Sequence, residues 1–205
     1  VTIIELSPNL LNGVDKDLVR PLERKLKNKL ESIYKSTKVI AIDETPEGFI
    51  LTLEGELVPE KLACDAVLVA IGRVPNTELL NLDKIGVSTD DQGFIRVDNQ
   101  LRTNIANVFA VGDVTGNPML AHKSTYQGKV AAEVLAGMKT IYDAKAVPSV
   151  AYTDPEVAWI GHTESMGMIK GRDLKISSFP WSACGRSLAI GRKDGNTKLI
   201  FDKTT

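Results

Sequence analysis

The apolar residues Val108, Phe109, Ala110 and Val111 form a run that stops abruptly at Gly112-Asp113. In an open α/β sheet, ligands sit beyond the carboxyl ends of the strands. A glycine at such an end lets a ligand approach the backbone, because no Cβ stands in the way. The carboxylate after it can accept hydrogen bonds from the hydroxyls of a polyol or a ribose. A second acid stands in a similar place near the start, where residues 1–4 read as a short buried strand closed by Glu5. At the end of the second strand of a nucleotide-binding half-fold, an acid accepts hydrogen bonds from adenosine ribose hydroxyls. Each acid also has a plainer reading, as the residue that ends a strand and begins a turn.

Other reactive side chains are few. Cys64 and Cys184 are the only cysteines, far apart and without metal-like spacing. They read as buried or partly buried thiols in a reducing compartment. His122 falls at a helix start, where a lone histidine is more often structural than catalytic. His162 follows Ile160-Gly161 in a turn and reads as surface. No residue of the chain is assigned a catalytic role, and none is assigned to a metal.

The elements that position these residues follow from pattern. Leu18, Val19, Leu22, Leu26 and Leu30 recur at helical spacing over 15–29, with Asp15 as N-cap and Pro21 as a kink or a later start. The basic residues Arg24, Lys25, Lys27 and Lys29 read as a solvated face, since Glu23 and Glu31 flank them. Residues 38–43 and 49–53 read as a hairpin, and the apolar stretch 65–71 as a parallel strand covered on both faces. Residues 93–97 read as a short strand ahead of 108–111. A helix spans 120–136, its small residues Gly128, Ala131 and Ala132 suited to close packing, with Gly137 closing it. Strands are expected at 149–152, 174–179 and 197–201, and a short helix at 163–168 with Thr163 as N-cap. Trp159 and Trp181 read either as core or as interface anchors.

Composition excludes some classes. Hydrophobic content of 43% with 25% charged residues is ordinary for a globular protein. A net charge of −1 argues against nucleic acid as partner, and no apolar run reaches the roughly 20 residues of a membrane helix.

The stretch 103–113 resembles the second flavin-binding fingerprint, T-x-x-x-x-V-F-A-x-G-D, of the flavoprotein disulfide reductases. Upstream lies Ala70-Ile71-Gly72-Arg73-Val74-Pro75-Asn76-Thr77, and downstream Pro118-Met119-Leu120-Ala121-His122-Lys123. Both resemble motifs of that family, in its order. Residues 148–158 resemble the opening of its dimerisation domain, and within the family the last two segments look most like the dihydrolipoamide dehydrogenases. The resemblance implies an α/β fold: partial doubly wound NAD- and FAD-binding domains followed by part of an α+β dimerisation domain. The NAD-binding part takes 1–75, the returning FAD-binding part 76–146, and the dimerisation part 147–205.

The resemblance also carries roles to matching positions. Asp113, after Gly112, would hold the ribityl chain of FAD. Met119, Leu120, Ala121 and His122 would lie at the flavin, a backbone N–H at Ala121 facing its pyrimidine end. Ala70, Ile71, Gly72 and Arg73 would close over the nicotinamide cofactor, Val39 would contact its adenine, and Glu5 its ribose. No arginine near Glu5 is placed to receive a 2′-phosphate, which favours NAD over NADP. The implied activity is reoxidation of dihydrolipoyl groups by NAD. The implied partners are a second copy of the chain, and the lipoyl domains and acyltransferase core of 2-oxo acid dehydrogenase complexes. The implied location is the bacterial cytoplasm, or the mitochondrial matrix in a eukaryote. A mercuric or glutathione reductase, and a noncatalytic nucleotide-binding scaffold, are the rival readings.

Several family features are absent from these 205 residues. No two glycines stand two residues apart, so there is no G-x-G-x-x-G loop for a pyrophosphate. There is no Cys-x-x-x-x-Cys redox pair and no His-Pro…Glu acid/base pair. The expectation is a central piece of such an enzyme, inactive alone.

Overall fold

The computed structural model describes residues 1–169 and 171–203. In chain order the elements begin with β1 (Thr2–Ile4), α1 (Lys16–Lys27), β2 (Ser32–Tyr34), β3 (Lys38–Thr45), β4 (Gly48–Glu54) and β5 (Lys61–Cys64). After an irregular stretch come α2 (Ala121–Leu135), β6 (Ser149–Ala151), β7 (Val157–Trp159) and α3 (Glu164–Ile169). Then follow β8 (Leu174–Pro180), α4 (Gly185–Ala189) and β9 (Asn196–Asp202). By packing, the chain divides into a unit built from residues 1–69 and 150–205 and a unit of residues 70–149.

In the first unit, β1 and β2 pair in parallel, Thr2 beside Ser32 and Ile4 beside Tyr34, with α1 as the crossover. Parallel neighbours need such a connection, because a tight turn only reverses the chain. Helix α1 buries Val19 and Leu22, and Leu22 is 2% exposed. The helix starts at Lys16 and runs through Pro21, so the proline does not delay it. The expected hairpin forms with longer strands than its pattern indicated: β3 and β4 are antiparallel, with Thr45 opposite Gly48. Strand β5, which the pattern did not reveal, adds to the far edge of β4.

Asp15 does not cap its own helix. Both of its carboxylate oxygens accept the backbone N–H of Glu164, each at 3.1 Å, at the start of α3. Thr163 caps α3 as its sequence position suggests, its Oγ1 accepting the N–H of Met166 at 3.2 Å. Lys198 of β9 reaches the same place. Its Nζ lies 2.7 Å from Glu164 Oε2 and 3.1 Å from carboxylate oxygens of Asp15 and Asp17, with a side chain only 4% exposed. Burial is the largest influence on this ammonium and acts to lower its pKa. The three carboxylates, Glu164 foremost, together outweigh it and hold the pKa well above the ordinary lysine value.

The basic face of α1 is partly paired. Lys25 binds Asp154, which also takes Arg192 Nη2 at 2.6 Å, and Glu23 takes Lys35 at 2.8 Å and Lys27 at 3.4 Å. The hydrogen bond from Lys25, then that from Arg192, holds the Asp154 carboxyl below its usual range. β8 and β9 form an antiparallel pair from Leu174 opposite Asp202 to Pro180 opposite Asn196. Trp181 is partly exposed and lies against Gly195, where any Cβ would come 2.5 Å from the indole ring. Its Nε1 donates to Thr197 Oγ1 at 3.0 Å. His162 is exposed, as expected of a turn residue.

In the second unit the core is small. Leu101, Val130, Ala131 and Val134 pack together with Val97, Phe109 and Tyr142, and Val87, Ile95 and Ala110 form a neighbouring cluster. Helix α2 ends as the sequence indicated. Gly137, at φ +84°, donates to Val134 O, and Met138 N–H reaches Glu133 O, closing a Schellman motif. Of its three small residues only Ala131 packs as expected. Gly128 faces open space and Ala132 is exposed, while Lys123, Gln127, Val130, Ala131 and Val134 form the buried face.

Three expected strands are absent as strands. Residues 93–97 and 108–111 make only the isolated bridges Thr89 with Ile95 and Arg102 with Phe109. Residues 65–71 form no ladder, and Leu68 and Ile71 are 91% and 95% exposed. An apolar run of strand character still needs a neighbour for its backbone groups, and no described segment pairs with this one. Among the described residues, no helix is long and apolar enough to cross a membrane.

Candidate functional site

The segment 103–113 is held by its own side chains. Thr103 Oγ1 donates to Val108 O at 2.9 Å and accepts the N–H of Ile105, while Thr103 N–H also bonds Val108 O. This closes the five-residue spacing of Thr103 and Val108 into a turn. Asn104 fixes the turn to its surroundings, accepting Ser88 N–H at 2.8 Å and donating to Gly86 O at 2.7 Å. The chain then runs extended to Val111 and enters a 3₁₀ turn, Gly112–Thr115, that carries Asp113. Gly112 has φ +82°, and a Cβ there would stand 2.7 Å from Ser124 Oγ. Both facts require glycine.

Asp113 meets Arg73. The guanidinium donates from Nη2 to Asp113 Oδ2 at 2.6 Å and from Nη1 to Met119 O at 3.3 Å. The structure therefore joins Arg73, Asp113 and Met119, three residues drawn from three separate motifs. Asp113 Oδ1 has no hydrogen-bond partner among the described residues, and the side chain is 36% exposed. A carboxylate so held is oriented and still open to a hydroxyl donor. Just beyond it, Leu120 precedes α2, and Ala121 and His122 are exposed in its first turn. The first amides of a helix have no partner within it and carry partial positive charge, which suits an electron-rich ring edge. His122 Nε2 lies 2.7 Å from Pro148 O, a structural contact.

Thr77, the last residue of the upstream motif, is buried and donates to Gly93 O at 2.7 Å. Ala70, Ile71, Gly72 and Arg73 are all exposed. Glu5 and Val39 belong to the first unit. Glu5 Oε1 accepts Ser7 N–H at 2.7 Å, which leaves Oε2 without a partner among the described residues. The Glu5 backbone is fixed on both sides, its N–H bonding Tyr34 O and its carbonyl accepting Thr37 N–H. Val39 lies on β3, half-buried, beside a register shift. Among the described residues no group of three or more His, Cys, Asp or Glu could hold a metal.

The sequence reading missed Lys123 and Gln127, both buried and both bonded to the turn that carries Asp113. A signal was present. They stand four apart, in line with Val130 and Val134 on the inward stripe of α2, where polar residues are out of place.

Comparison with known proteins agrees with this geometry. Residues 1–128 match the pyridine nucleotide-disulphide oxidoreductase family, and residues 147–205 match the dimerisation domain of the same family. A dihydrolipoyl dehydrogenase of Vibrio cholerae is 46% identical over the whole chain, and one of Geobacillus stearothermophilus is 38% identical over 99% of it. The chain spans 43% of the length of each of these relatives. Among solved structures, the HOCl-induced flavoprotein disulfide reductase RclA of Escherichia coli superposes with a TM-score of 0.87 at 28% identity. That match covers all of this chain and 46% of that one. The relatives belong to a family that uses FAD and NAD(P), and the dimerisation domain is its means of forming homodimers. With its mixed helices and strands and both family domains matched, the chain belongs to the pyridine nucleotide-disulphide oxidoreductases.

Proposed function

We propose that these residues position the cofactors of a dihydrolipoyl dehydrogenase, an enzyme that reoxidises dihydrolipoyl groups of 2-oxo acid dehydrogenase complexes with NAD. The observation that carries this reading is Asp113, set behind a positive-φ glycine, steered by Arg73 and open at Oδ1 just before the N-terminus of α2. These residues fit a flavin. Asp113 would accept from the ribityl hydroxyls, and the amides at the start of α2 would face the end of the ring that gains negative charge on reduction. When bound, the flavin supplies the electron transfer between a dithiol and the nicotinamide. This segment contributes binding, orientation and field. The 46% identity to a dihydrolipoyl dehydrogenase over the whole chain favours that substrate class over other disulfide reductases.

In the full-length protein, Asp113→Ala should weaken FAD binding about 10- to 150-fold, the equivalent of a lost charged hydrogen bond. Flavin released on dilution, followed by its fluorescence, measures this. Unchanged retention would reduce Asp113 to the residue that starts a turn.

Glu5 is assigned to the adenosine ribose of NAD, through Oε2. Glu5→Ala should raise the KM for NAD and leave kcat within about twofold, because a ribose contact gives binding rather than transition-state stabilisation. A parent enzyme that prefers NADP to NAD would refute the assignment.

A further inference from the structure

Two buried polar side chains of α2 take hold of the turn that bears Asp113. Lys123 and Gln127 are each 4% exposed. Lys123 lies in the first turn of the helix, where the dipole opposes a positive charge. Burial pulls its pKa below the ordinary lysine value, and the charge of Asp113 works in the other direction. A lysine is costly in such a place unless its ammonium is used, and here it donates to Gly116 O. Gln127, one helical turn later, accepts the N–H of Gly112 at 2.7 Å through Oε1, with Thr115 Oγ1 at 3.4 Å from the same atom. Thr115 Oγ1 itself donates to Gly112 O at 2.8 Å. The turn is thus gripped at its first amide by one side chain and at its closing carbonyl by the other. Apolar residues would fill the same inward positions but would leave the buried Gly112 N–H without an acceptor.

We propose that Lys123 and Gln127 are positioning residues of the flavin site. By fixing both ends of the 112–116 turn on α2, they hold the Asp113 carboxylate where the ribityl hydroxyls meet it. This rests on the reading of Asp113 as the ribityl acceptor. Neither side chain needs to touch the cofactor, so their effect must pass through Asp113.

The test is a double-mutant cycle on FAD affinity, measured by flavin fluorescence on reconstituting the full-length apoprotein. Lys123→Met and Gln127→Leu should each weaken FAD about tenfold with Asp113 present, and by less than about twofold in an Asp113→Ala background, since interacting residues are not additive. Gln127→Glu, which keeps the acceptor oxygen, should restore affinity to within about threefold of wild type. Circular dichroism of each apoprotein establishes folding, and Lys123→Gln replaces Lys123→Met should the latter not fold. Losses of equal size with and without Asp113 would overturn the proposal, as would a failure of Gln127→Glu to rescue. FAD affinity untouched by Asp113→Ala alone would instead remove the ribityl reading beneath it.

Discussion

Lys198→Met should remove about 3–5 kcal/mol of folding free energy from the unit formed by residues 1–69 and 150–205. The methionine is similar in length and apolar, so little packing is lost. What remains is Asp15, buried with its side chain 7% exposed, together with Asp17 and Glu164, and no ammonium among them. Removing one partner of a buried ionic cluster is far more damaging than replacing the whole cluster with apolar residues. The alkaline limb has a definite sign. The folded pKa of Lys198 lies above its ordinary 10.5, so its contribution is complete below that value. It is lost as pH rises through the folded pKa. Urea denaturation of both proteins at neutral pH supplies the comparison. A loss below about 1 kcal/mol, the range of an exposed pair, would mean that solvent screens the cluster.

Gly112→Ala has the second largest expected effect. The positive φ alone costs an L-residue about 1–2 kcal/mol. The new methyl group would stand 2.7 Å from Ser124 Oγ, on the helix that holds the turn. Stability and flavin retention should therefore fall together, because the residue that moves is the neighbour of Asp113. Ser124→Ala in the same protein should recover the part of the clash due to Oγ, leaving the 3.2 Å approach to the residue-124 Cβ and the backbone part, so the double variant should lie between wild type and Gly112→Ala in melting temperature. A Gly112→Ala protein as stable as wild type would show that the turn relaxes without cost.

The site was more legible in the sequence than the sheets around it. Gly112 and Asp113 could be singled out because each answers a local need, a residue without a Cβ and an acceptor beyond it, whereas the turn that Thr103 closes onto Val108 was not foreseen from the local pattern. Helix α2 and its Gly137 terminus were legible for the same reason. Strand pairing was legible only in the β3–β4 hairpin, where a short turn-rich loop names the partner; elsewhere an apolar run states a preference for extended backbone without naming one. Residues 65–71 have that preference and no ladder, and β5 found a place beside β4 with little pattern of its own. Asp15 misled through proximity. As the residue before α1 it has the right type for a cap, yet its carboxylate serves α3, 149 positions away. Polar partners at that separation leave no trace in a local pattern.

Asp15 and Lys198 meet in one cluster, and residues 70–149 form a unit of their own between them. This arrangement sets an order of events during synthesis. A chain made from its N-terminus presents the whole middle unit to solvent before Lys198 exists. Residues 1–69 leave the ribosome before the lysine that neutralises Asp15, because Lys198 emerges only with β9. Closing so long a loop costs little more than closing one half its length, about 0.6 kcal/mol per doubling. The penalty is therefore one of time, during which the β1–α1–β2 element waits for the charge that completes its cluster.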